Sequence, residues 1–205
     1  MKFSSKSLEE AVEAFASLPG IGKKNALRMA LFLAGKEKEK SKGFAAAISR
    51  MSDQLKECQK CHNYADEEIC AICRDPARRS HTICVVESAR DVMAIEDTQQ
   101  FSGRYHVLGG VISPIDGIGP EDININSLLD RVQKEGVEEM IMAISPSIEG
   151  ETTTYYISQR LSKADVKISV IARGISFGGD LEYADEITLG RSIVGRLPYK
   201  SNDNL

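Results

Sequence analysis

A chain of 205 residues, 42% hydrophobic and 27% charged, has room for one substantial core and a smaller appended region. No apolar run approaches the roughly 18–20 residues that cross a bilayer, which excludes a membrane-spanning helix. The opening MKFSSKSLEEAVEAF has acidic residues and helical spacing where a secretory leader would be continuously apolar, so a soluble, cytoplasmic protein without a membrane partner is expected. The net charge of −4 would argue against a nucleic-acid partner if it were evenly spread, but residues 1–57 hold 11 Lys/Arg against 7 Asp/Glu, residues 58–81 hold 4 against 4, and residues 82–205 hold 11 against 19. A basic head precedes an acidic body.

In the head, Leu8, Val12 and Phe15 recur at helical spacing, and Leu27, Ala30, Leu31 and Ala34 repeat the pattern after LPGIG at Leu18–Gly22. The spacing predicts helix, tight turn, helix, with the second helix starting near Lys23. Gly20 and Gly22 cannot shield the turn's backbone N–H groups with a side chain, and the helix that follows points its own open N–H groups and dipole the same way. Lys23 and Lys24 open that helix, and Arg28 lies four residues beyond Lys24 on one face. An anion such as phosphate suits this arrangement, although Pro-Gly-x-Gly also serves as a plain helix connection. The mixed-charge run KEKEKSK at Lys36–Lys42, ending at Gly43, is expected to be a solvated connector, and Phe44, Ile48, Met51 and Leu55 predict a third helix.

Cys58-x2-Cys61 and Cys70-x2-Cys73, eight residues apart, have the spacing of two knuckles that present four thiolates to one tetrahedral metal. A cytosolic chain disfavours disulfides, and a redox site needs only one pair, so one structural Zn²⁺ per chain is expected. Four sulfurs leave no open position for water, so the metal is expected to support folding and do no chemistry. His62 is not needed as a ligand, and Cys84, inside TICVV, reads as core.

Beyond residue 81, TICVV (82–86), YHVL (105–108), EMIMAI (139–144) and KISVI (167–171) are β-branched runs, with helical patterns over 127–134 and 151–162. That alternation predicts a parallel α/β domain. Glu87 ends the first strand, where such sheets bind ligands, and Glu149 and Glu151 follow the third at the same edge. Three carboxylates could hold Mg²⁺. The glycine-rich loop of 109–119 lacks the GxxxxGK[ST] spacing of a nucleotide site and reads as a structured surface turn.

LPGIG with the following Lys and Arg resembles a helix-hairpin-helix, a motif that holds DNA by its backbone without reading sequence. The acidic body resembles a Toprim domain, which pairs a strand-end Glu with Asp-x-Asp after a later strand. Here Ser145 and Ser147 stand at the Asp positions, so most of the negative charge that would retain a divalent ion is missing. The order of parts, the run YHVLGGVISPIDGIGPEDI (105–123), the run ARGISFGGDLEYADEITLGR (172–191) and Arg78 after the cysteines resemble, over essentially the whole chain, the bacterial recombination mediator family RecR. Ala65, where that family more often has Ser or Thr, and Ser145, where it often has Asn, depart from the pattern without removing a metal ligand.

The resemblance implies four parts: a helix-hairpin-helix DNA-binding region (1–57), a zinc module (58–81), a Toprim-like domain (82–176) and a C-terminal segment for oligomer contacts (177–205). It implies a non-enzymatic mediator without catalytic residues, acting in DNA repair and recombination with RecO and RecF to help load RecA at gaps. Family members form rings, commonly tetramers, that clamp single- or double-stranded DNA in the nucleoid. DNA would meet Gly20, Gly22, Lys23, Lys24 and Arg28, and a protein partner would meet Glu87, Glu149 and Glu151. Two alternatives remain open at this point: a Mg²⁺-dependent Toprim nuclease or topoisomerase, and a zinc-stabilised adaptor with no DNA contact.

Overall fold

The computed structural model describes residues 3–172, 174–175, 178, 180–196 and 198, so the ends of the expected C-terminal segment lie outside the described residues. The chain divides into two units, residues 1–56 and 57–205.

The first unit is helical. Helix α1 (Lys6–Ala16) is capped by Ser5, whose hydroxyl accepts the Leu8 N–H, and α2 (Lys23–Ala34) begins at the residue that the glycine turn predicts. Val12 packs against Ala26 and Ala30, all buried, with Leu8, Phe15, Ile21 and Leu27 around them. Alanines four residues apart let the two helices approach closely. Helix α3 (Lys38–Gln54) starts earlier than the apolar spacing suggests: Lys38–Gly43, expected as connector, forms its first turns. Alternating Lys and Glu are good helix formers, and Lys40 pairs with Glu37 at 3.6 Å, so the segment is both solvated and helical.

The second unit opens with a two-stranded ladder, β1 (Lys56–Glu57) and β2 (Tyr64–Ala65), and the single-turn helix α4 (Ala71–Arg74). A four-stranded parallel sheet follows, in the order β4-β3-β5-β6: β3 (Arg79–Val86), β4 (Gly103–Val107), β5 (Glu139–Ala143) and β6 (Lys167–Val170). Helices α5 (Ala89–Asp97), α6 (Ile125–Glu135) and α7 (Ile148–Arg160) make the crossovers. Side chains along a strand alternate between faces, and the cores show it. Ile83, Val85, Met140 and Met142 pack with Leu128, Val132 and Ile157 from α6 and α7. Cys84, Val86 and Ala143 pack with Val92 of α5 on the other face, where Tyr105 and Val107 join them. Cys84 is 2% exposed and its thiol is pushed up to about 12 by burial, as suits a core residue. A one-turn 3₁₀ helix (Leu181–Tyr183) and α8 (Glu186–Val194) complete the described chain.

Candidate DNA-binding, zinc and partner sites

At the glycine turn, Gly20 has φ +77°, a left-handed conformation that favours glycine, and Gly22 is the extended N-cap of α2. That cap makes no side-chain hydrogen bond, so the first-turn N–H groups of α2 have no capping side chain, and a Cβ at either glycine would meet nothing within 4 Å. Lys23, Lys24 and Arg28 are exposed. Among the described residues none of the three pairs with a carboxylate. The five residues thus lie on one turn and the first two turns of one helix, with donors and cations together.

The four cysteine sulfurs lie within 4.8 Å of one another and all four residues are buried. The thiols are free, and the Cys61 and Cys70 sulfurs are 3.5 Å apart, well beyond a disulfide bond. Backbone N–H groups turn toward the sulfurs: Cys70 N–H donates to Cys58 Sγ at 3.3 Å and Cys73 N–H to Cys70 Sγ at 3.4 Å. Such donors favour thiolates. Hydrogen bonds from Cys61, then Cys73, draw the Cys70 thiol down, while the bond to Cys70 pushes Cys61 up. Crowded sulfurs cannot all ionise unaided, and a divalent cation at their centre lets them do so. This donor set fits one zinc ion, held by Cys58, Cys61, Cys70 and Cys73.

The module is tied to the sheet through the residues beside its ligands. Val107 N–H donates to the Cys61 carbonyl at 2.8 Å, and His62 Nε2 meets Ser127 Oγ at 2.9 Å. His62 is therefore engaged elsewhere than at the metal. Its ring also meets His106 edge-on at 5.3 Å; burial pushes His106 down to about 3, keeping that imidazole neutral beside the Asn124 carbonyl. After the last cysteine, Arg78 donates to Glu96 Oε1 at 2.9 Å and to Glu96 Oε2, and Tyr105 O–H donates to Glu96 Oε1 at 2.7 Å. Arg78 is thus a structural anchor between the module, α5 and β4.

At the carboxyl edge of the sheet, Glu87 Oε1 accepts the Ser145 N–H at 2.5 Å. Ser147 is the N-cap of α7, its hydroxyl accepting the Gly150 N–H at 3.0 Å, so one of the two serines at the Toprim Asp positions is committed to helix capping. Glu149 is half-buried in the first turn of α7, and Glu151 pairs with Arg191 of α8 at 3.1 Å. The three carboxylates, expected to be able to hold Mg²⁺ together, form no such cluster: among the described residues only the four cysteines group as a metal site, and Glu87 and Glu151 have partners in the chain itself. Thr153, fully buried, escaped the sequence reading: its hydroxyl donates to the Glu149 carbonyl at 2.7 Å and accepts the Ile112 N–H at 2.8 Å, pinning α7 to the glycine-rich loop. Nothing in the run Thr152-Thr153-Thr154 within a helix signals which threonine makes such a contact.

A glycine-turn helical pair, a four-cysteine zinc module and a Toprim-type parallel sheet together define a class of modular DNA-transaction protein. The chain matches the RecR helix-hairpin-helix family (residues 8–52), the RecR four-cysteine zinc finger domain (55–75), the Toprim domain (81–172) and the RecR C-terminal family (174–196). It is 51% identical over 201 residues to the recombination protein RecR of Porphyromonas gingivalis, covering 98% of this chain and 97% of that one. It is 54% identical over 195 residues to the recombination protein RecR of Phocaeicola vulgatus, covering 95% of each. For the Flavobacterium johnsoniae recombination protein RecR the identity is 51% over 200 residues, 98% of this chain and 97% of the relative. The chain belongs to the RecR family of recombination proteins.

Proposed function

We propose that this chain is a non-enzymatic, cytoplasmic recombination mediator that binds DNA as a ring-like homo-oligomer, commonly a tetramer, and acts with RecO and RecF to help load RecA at gaps in the nucleoid. The observation that carries the proposal is the open N-terminus of α2: Gly20 and Gly22 leave the amides uncovered, and Lys23, Lys24 and Arg28 stand exposed around them. Amide donors and cations of this kind grip phosphates of single- or double-stranded DNA without reading bases.

Assignment to self-association draws support from apolar surface. In the first unit a groove of about 580 Å³ is lined mainly by apolar side chains, among them Phe15, Ile21, Met29, Phe32 and Phe44, with Arg28 also on its wall. In the second, α8 has no buried residue among those described, and Ile187 and Val194 on it are 70% and 82% exposed. Exposed apolar faces of this extent suit contacts between copies. We divide the chain into 1–57 for DNA, with the groove of this unit also offered to a second copy, 58–81 for zinc, 82–176 for the Toprim-like scaffold and 177–205 for oligomer contacts. The edge bearing Glu87, Glu149 and Glu151 is the docking surface for a basic partner protein, with Glu149 its principal contact.

Absence of catalysis follows from the charge at that edge. With Ser145 and Ser147 in place of two carboxylates, a Mg²⁺ ion has too few anionic oxygens to displace its tightly held water.

The test is DNA affinity against salt for the Lys24→Ala, Arg28→Ala double variant. Losing two phosphate contacts should make the slope of log K against log salt shallower by about 1.8 on duplex and about 1.4 on single strands. An unchanged slope would remove the α2 assignment.

A further inference from the structure

Glu87 grips both loops that leave the neighbouring strands. Its carbonyl accepts the Gly109 N–H at 2.9 Å at the exit of β4, and its carboxylate accepts the Ser145 N–H at 2.5 Å at the exit of β5. The second loop has little slack. A Cβ on Gly150 would sit 2.0 Å from the Ser145 carbonyl oxygen, Ser147 closes the turn onto Gly150, and Thr153 holds the Glu149 carbonyl from below. Ser145, Pro146, Ser147 and Ile148 of this turn are exposed, Ile148 at 82%, and Glu149 beside them is half-buried and the turn's one carboxylate.

We propose that Glu87 is a positioning residue: it holds the Ser145–Gly150 turn in the shape that presents Glu149, and it meets neither the partner nor a metal. This rests on the assignment of Glu149 to partner docking. The contact is one backbone N–H donating to one side-chain oxygen. The strand-end acid that elsewhere could ligate a cation here pins a loop. It works by accepting a hydrogen bond at one atom, so an amide oxygen at that atom serves almost as well.

That last point gives the experiment. Full-length Glu87→Gln, Glu87→Ala and Glu149→Ala proteins are compared by hydrogen exchange of the Ser145 amide and by affinity for purified RecO, the partner on which the docking assignment rests. Glu87→Ala should speed Ser145 exchange and weaken RecO binding by roughly tenfold each, while Glu87→Gln should stay within about twofold of the parent on both. Equal losses in Gln and Ala would mean that the charge itself is used, and the proposal fails. A Ser145 amide that stays protected in Glu87→Ala overturns it as well, as does a Mg²⁺-induced shift of that amide that depends on Glu87. If Glu149→Ala binds RecO unchanged, the docking assignment falls alone, because the Ser145 exchange rates still decide what Glu87 does.

Discussion

Removing the zinc, by chelation or by Cys58→Ser, is expected to unfold Glu57–Arg74 while the helical unit of residues 3–56 keeps its structure. The four cysteines are the buried residues at the centre of the module, and among the described residues only Ala65, Ile69 and Ile72, each partly buried, pack around them. Two half-buried isoleucines and an alanine supply at most about 4 kcal/mol. Ordering about 18 residues costs at least about 1 kcal/mol each. The shortfall, about 14 kcal/mol, falls within the roughly 10–16 kcal/mol that structural zinc contributes on binding. The assay is hydrogen exchange by peptide, with and without chelator, alongside metal analysis expected to find one zinc per chain. Protection should vanish over the module and weaken at Val107, which donates to the Cys61 carbonyl, but persist in α1 and α2. A metal-free chain with a fully protected module would refute the reasoning.

Three further outcomes follow from named contacts. Glu96→Gln should cost about 2 kcal/mol, because it removes the closer of the two carboxylates paired with the largely buried Arg78 and leaves Asp75 at 3.9 Å; chemical denaturation measures this. Arg78, the larger influence, and Tyr105 hold the Glu96 carboxyl below its ordinary value of 4.5, so its stabilisation is complete above pH 4.5 and is lost as pH falls through the lowered value; the variant should lack this acid-side decline. Gly150→Ala should lower the melting temperature and raise exchange over residues 145–150, since its Cβ would lie 2.0 Å from the Ser145 oxygen, and an unaltered melt would mean that the turn has room to shift.

Much of the architecture was legible because its signals are local. The β-branched runs mark the four strands of the parallel sheet, the cysteine spacing marks the zinc module, and Pro19-Gly20-Ile21-Gly22 marks the turn and the start of α2. What escaped depends on distant partners or on signals too short to weigh. Helix α5 went unread although Ser88 and Asp91 form a capping box, a pattern that could have located it. Helix α4 is a single turn capped by the ligand Cys70 and containing the ligand Cys73, with no room for helical periodicity. Helix α8 leaves its apolar residues exposed, so no buried stripe announces it. That Glu87 is spent on Ser145 and Glu151 on Arg191, so that with Glu149 they make no metal-holding cluster, depends on contacts 58 and 40 residues apart. No spacing rule reaches that far.

The central claim is that the chain holds DNA without cutting it. The most direct measurement incubates the purified protein with a gapped plasmid and Mg²⁺ at low and moderate salt, then runs matched native and denaturing gels. The account predicts a shift on the native gel that weakens as salt rises, with every strand intact on the denaturing gel. Cut or relaxed DNA would contradict it and return Glu87, Glu149 and Glu151 to a catalytic role.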